Sequence, residues 1–70
     1  MASLEELIGG RLKTLRHAKN LTAGALATRL GITQLQLAAI ETGKQRLTPA
    51  QLVPACALLG SSVQDFMRGI

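Results

Sequence analysis

Seventy residues leave room for a single domain, 1–70, with one small core and no separate ligand-binding or catalytic domain. Apolar residues make up 47%, almost all Leu, Ala, Ile and Val with Phe66 the one aromatic, so an aliphatic, helix-friendly core is expected. The net charge of +4 is unevenly placed: between residues 11 and 46 stand Arg11, Lys13, Arg16, Lys19, Arg29, Lys44 and Arg46 against Glu41 alone, a local +6. Such a basic middle suits a polyanionic partner, because neutralising phosphates releases condensed counterions. A merely solvated basic face has the same composition, and charge alone does not separate the two.

The lone Cys56 excludes an internal disulfide and any multi-cysteine metal site. Its neighbours Ala55, Ala57, Leu58 and Leu59 mark it as a small buried hydrophobe. The opening Ser3-Leu4-Glu5-Glu6 is acidic and does not read as a signal peptide. No apolar run approaches the about 20 residues that span a bilayer. A cytoplasmic chain with no membrane partner is expected.

The first element opens on a capping box, in which Ser3 accepts from the amide of Glu6 while Glu6 reaches back. Leu4, Leu7, Ile8, Leu12 and Leu15 follow at helical spacing, Ala18 extends the stripe, and Asn20 stops the helix. Thr22 caps a short second helix with Leu26, Ala27 and Leu30 on its apolar side and Gly31 at its end. Thr33 and Gln36 form a second capping box for the third helix, with Ile32 and Leu37 as its staple and Gly43 after it. Thr48 and Gln51 make a third box, with Pro49 at the first helical position and Leu47 and Leu52 as staple. Pro54 then either kinks the fourth helix or moves its start later than Thr48. Gly60 ends that helix, and Ser62 caps a last turn carrying Val63 and Phe66 and closed by Gly69. The reading is all-α, with no strand pattern and no internal linker.

The informative stretch is residues 23–42. Two short helices meet through Gly31-Ile32-Thr33, a turn tight enough to set the second steeply across the first. Ala27 is small where they cross, and Leu26, Leu30, Ile32, Leu37 and Ile40 form the expected seam. Outward, the third helix presents Gln34, Leu35, Ala38, Ala39 and Thr42, which are short and uncharged. Fitting into a groove is a reason for such a face.

These pieces resemble the Cro and phage-repressor (Xre-like) helix-turn-helix family. The likeness runs through Ile8-Gly9-Gly10-Arg11-Leu12, Leu15-Arg16, Leu21-Thr22, Leu26-Ala27, Leu30-Gly31-Ile32-Thr33 and Leu37, then Ile40-Glu41-Thr42-Gly43-Lys44. Leu58-Leu59-Gly60, Ser62-Val63 and Phe66 match the family's ending. The resemblance implies a compact five-helix, lambda-repressor-like fold, and a transcriptional regulator that lays a recognition helix, 33–42, in the major groove of double-stranded DNA. It also implies action as a homodimer on a palindromic operator. Carried over by position, Gln34, Leu35, Ala38 and Ala39 contact bases, while Thr22, Thr33, Lys44 and Arg46 lie near phosphates. Gln34 suits adenine, whose N6 and N7 a glutamine amide bonds together, and Leu35 and Ala38 suit a thymine methyl. Arg16 and Glu41 match a structural ion pair between the first and third helices.

An alternative reading takes the apolar face of the third helix as a protein-docking surface, as helix-in-groove partners use. An enzyme is the poorest fit, since His17 is the one histidine and stands on a basic helix. No carboxylate pair, phosphate loop or Ser-His-Asp set is present. No metal, cofactor or small-molecule ligand is expected.

Overall fold

The computed structural model describes residues 1–70, which form α1 (Leu4–Ala18), α2 (Ala23–Leu30), α3 (Gln34–Glu41), α4 (Pro49–Leu58) and α5 (Val63–Phe66), with no strand. Each helix starts where a hydroxyl precedes it. Ser3, Thr22, Thr33, Thr48 and Ser62 sit in extended backbone and each accepts the amide three residues on. At Ser3, Thr33 and Thr48 the box is reciprocal: the cap amides donate to Glu6, Gln36 and Gln51 at 2.9, 2.9 and 3.0 Å. One such cap contributes about 1 kcal/mol, so the starts are set by local chemistry before any packing. The bond from the Ser3 amide also holds the Glu6 carboxyl below its usual range.

Of the two alternatives for Pro54 the later start is excluded, and the expected stripe of α1 is corrected. α4 does begin at Thr48, despite Pro54 within it. Proline at the sixth helical position removes the one amide that would reach the Ala50 carbonyl, and Ala50 and Pro54 are both exposed, so that carbonyl stays open to solvent. The apolar stripe of α1 is also narrower in effect than its spacing suggests. Leu12 is wholly buried and Ile8 and Leu15 pack at the core's edge, but Leu4 and Leu7 remain 55% and 46% exposed. Length explains this: α1 has 15 residues and its main partner α3 has 8, about 22 Å against 12 Å at 1.5 Å per residue, so α1 overhangs. α5 is the expected last turn, Val63–Phe66 capped by Ser62, with Gly69 beyond it at positive φ.

α3 packs on α1 and α2, α2 also touches α4, and α4 carries α5. One core joins them, with Leu12, Leu26, Leu37, Ile40, Leu59 and Phe66 its largest buried members. Cys56 is buried there too, and burial pushes its thiol up, which leaves little thiolate for reaction. Arg11 closes the far end. Its guanidinium donates to the Phe66 carbonyl at 2.8 Å and the Arg68 carbonyl at 3.1 Å, so a side chain of α1 caps the carbonyl end of α5.

Candidate functional site

The α2–turn–α3 unit is built on Gly31, whose φ of 70° lies in the left-handed region that only glycine enters without strain. From that corner Ile32 N–H donates to the Ala27 carbonyl at 3.0 Å, turning the chain straight into the Thr33 cap. Leu26, Ala27, Leu37 and Ile40 are buried as the seam requires, while Leu30 and Ile32 pack at its edge.

α3 is held from behind by α1 in two ways. At Gly9 a side chain has no room, because a Cβ there would collide with the Ile40 carbonyl oxygen. About two turns further on, Arg16 meets Glu41 in a two-point bridge: Nε to Oε2 at 2.7 Å and Nη2 to Oε1 at 3.0 Å. The third guanidinium nitrogen donates to the Leu21 carbonyl at 3.0 Å, tying in the segment before α2. Arg16 is 7% and Glu41 9% exposed, and the hydrogen bond to Glu41 raises the guanidinium's already high pKa. The expected ion pair is therefore present, buried and fully hydrogen-bonded.

The opposite face of α3 is free. Gln34, Leu35, Ala38 and Thr42 are exposed and Ala39 is half-buried; Leu35 is 82% exposed, an extreme value for a leucine. Leu35, Ala38, Ala39, Thr42 and Lys44 line a shallow depression of about 310 Å³. The structure thus brings Lys44 beside the sequence-predicted α3 residues. Arg46 lies elsewhere, with Leu4, Glu5, Ile8 and Leu47 around a separate groove at the start of α1. Thr22 lines a third depression, of about 420 Å³, with Arg16, His17, Asn20 and Leu21. Thr22 and Thr33 use their oxygens to accept capping amides and keep their hydroxyl protons for another acceptor.

Arg11 and Gly24 matter more than their sequence context suggests. Arg11 and Arg16 are committed inside the fold, and the Lys19 ammonium lies over Gly60 beyond the end of α4. The formal local charge of +6 therefore overstates the cations free to meet a partner; Lys13, Lys19, Arg29, Lys44 and Arg46 are exposed with no ion-pair partner. Gly24 was not singled out for a role at all, yet a Cβ there would collide with the Gln34 side-chain nitrogen. The Gln34 amide thus lies back across the bare first turn of α2. Gly24→Ala is expected to leave stability unchanged or raise it by up to about 1 kcal/mol, since alanine favours helix. The Gln34 amide should meanwhile swing away, which the side-chain NH2 chemical shifts would register. Unmoved Gln34 resonances would show that the contact is not maintained in solution.

The chain matches the family described as "Helix-turn-helix domain" over residues 7–66. No curated protein matches it in sequence. Among solved structures, the clp gene regulator ClgR from Corynebacterium glutamicum is 29% identical, with a TM-score of 0.89 over 94% of this chain and 70% of that one. A complex of the SinR and SinI proteins gives 28% identity and a TM-score of 0.78, over 89% of this chain and 61% of that one. The restriction-modification controller protein C.AhdI from Aeromonas hydrophila shares the fold, with a TM-score of 0.81 at 22% identity, over 90% of this chain and 96% of that one. Since the matched region runs from the first turns of α1 through Phe66 and includes the Gly31 turn, its caps and the α1–α3 bridge, this chain belongs to the helix-turn-helix family, of the Cro and phage-repressor type.

Proposed function

We propose that the protein is a transcription regulator that binds double-stranded DNA sequence-specifically, with α3 in the major groove. The observation that carries this reading is the free face of α3. It is short-chained, uncharged and flanked by Lys44, while the other side of the helix is anchored by Gly9 and the Arg16–Glu41 bridge. A rigid helix with a low-relief outer face fits a groove about 12 Å wide. The structural relatives named as regulators of genes or of restriction-modification support the regulatory part. Gln34 reads a base, and Thr22, Thr33, Lys44 and Arg46 meet phosphates. A symmetric dimer on a palindromic operator would place the two Gln34 positions about one helical turn, roughly 34 Å, apart.

A selection from random duplexes at moderate salt tests the proposal, followed by titrations at two salt concentrations. An enriched palindrome and an affinity that falls steeply with salt are expected. Gln34→Ala should flatten preference at one position of each half-site, at a cost of about 1–3 kcal/mol on the preferred site. Lys44→Ala should weaken every site alike and lower the salt slope by about one. Absence of duplex binding even at low salt would overturn the proposal and leave the exposed Leu35 face to a protein partner.

A further inference from the structure

We infer that the depression on α3 reads the C5-methyl groups of pyrimidines, so that binding responds to 5-methylcytosine as it does to thymine. This rests on the DNA-binding reading and specifies the chemistry of its apolar half.

The depression's walls are Leu35, Ala38, Ala39 and Thr42, with Lys44 on the rim. Leucine and the alanines offer a base edge no hydrogen bond. Thr42 has one to give, but its hydroxyl proton is directed to the Ala38 carbonyl at 2.8 Å. With the oxygen turned into the helix, no hydroxyl donor is left for a base. The three apolar members, Leu35, Ala38 and Ala39, therefore discriminate by shape and apolar contact.

Among the unmodified bases the major groove has one alkyl group to offer, the methyl at C5 of thymine, where cytosine carries only a hydrogen. Leu35 at 82% exposure has the most apolar surface to gain by covering that methyl. The other large exposed apolar side chains, Leu4, Leu7, Val53 and Val63, lie on α1, α4 and α5 and do not line this depression. The Lys44 ammonium at the rim supplies the charge complementarity, a cation beside an apolar contact on a polyanion.

Thymine and 5-methylcytosine differ at C4, where one carries an acceptor and the other a donor. Leu35, Ala38 and Ala39, which carry no hydrogen-bonding side-chain group, are blind to that difference and sensitive to the methyl the two bases share. A cytosine at the contacted position is thus disfavoured for lacking a methyl, and methylation restores the contact.

The test uses the whole chain and the best duplex recovered by selection. Each thymine is replaced in turn by deoxyuridine, which removes only the C5-methyl. Binding should weaken about fourfold at one or more positions per half-site, the effect of losing one buried methyl group. At those positions cytosine should bind worse than thymine, and 5-methylcytosine should recover about fourfold over cytosine. Leu35→Ala, at an exposed position where folding is not at stake, should bind the thymine and deoxyuridine duplexes equally; circular dichroism confirms the fold. Tight duplex binding that is indifferent to deoxyuridine at every position would overturn the inference while leaving the DNA-binding function intact. Failure to bind any duplex would overturn both.

Discussion

Alanine at Gly9 is expected to lower stability by about 2–3 kcal/mol, whereas alanine at the adjacent Gly10 is expected to raise it by about 0.5–1 kcal/mol. Both lie inside α1, so helix propensity favours alanine equally at each. Space decides the sign. At Gly10 a Cβ meets nothing within 4 Å; at Gly9 it meets the Ile40 carbonyl, with the Glu41 carbonyl carbon at 3.0 Å. Those are backbone atoms of a packed helix and do not rotate aside as a side chain would, so α1 and α3 must separate. At roughly 4–8 °C per kcal/mol for a domain of this size, the two variants should melt well over 10 °C apart. Urea or thermal melts read this directly, and coincident midpoints would mean that the crossing opens at little cost.

Arg16→Ala is expected to cost about 3–5 kcal/mol, because it leaves the largely buried Glu41 carboxylate without its partner. It also removes the donor to the Leu21 carbonyl, loosening the entry to α2. A chain of this length has in all roughly 4–10 kcal/mol of stability, so this variant should be partly unfolded at 37 °C. Arg46→Ala, at an exposed position without an ion-pair partner, should stay within about 0.5 kcal/mol of the parent. Replacing both members of the pair, as in Arg16→Met with Glu41→Leu, should recover much of the loss, since no charge is then left unpaired. Equal denaturant midpoints for Arg16→Ala and Arg46→Ala would mean that the bridge contributes nothing.

What could be read from the sequence was mostly local. A hydroxyl three residues ahead of a Glu or Gln specifies its own partner within one turn, and Ser3, Thr33 and Thr48 all cap as their spacing implies. Gly31 and Asn20, with φ of 70° and 54°, fall where only such residues sit easily. The outward face of α3 followed once its inward positions, Leu37 and Ile40, were known. The Arg16–Glu41 pair, 25 residues apart, was reached through family resemblance and has no local signature.

Features that escaped depend on where helices cross. The exposure of Leu4 and Leu7 follows from the overhang of α1, which a hydrophobic period cannot reveal. Arg11 counts as one more cation in the sequence because its partners are backbone carbonyls, which every residue possesses. Gly24 acquires meaning only because the crossing brings Gln34 over it. Pro54 leaves the start of α4 open in the sequence, since whether a missing rung matters depends on which side of the helix faces water.

The grip of Arg11 on the end of α5 also bears on the order in which the chain closes. α1 finds α3 within the first 41 residues, but the Arg11 guanidinium must wait for carbonyls 55 and 57 positions away. Closing a longer loop loses more chain entropy, and that loss shrinks once α3 and α4 have docked and shortened the free segment. The clamp is thus a late latch set on an assembled body. A pull on the last turn would first strain two hydrogen bonds and the seat of Phe66, on the side of α1 away from the bridge that steadies α3. Because Phe66 shares its core with Leu37 and Ile40, such a strain would be felt by α3 through packing, while the Arg16–Glu41 bridge itself would stay intact.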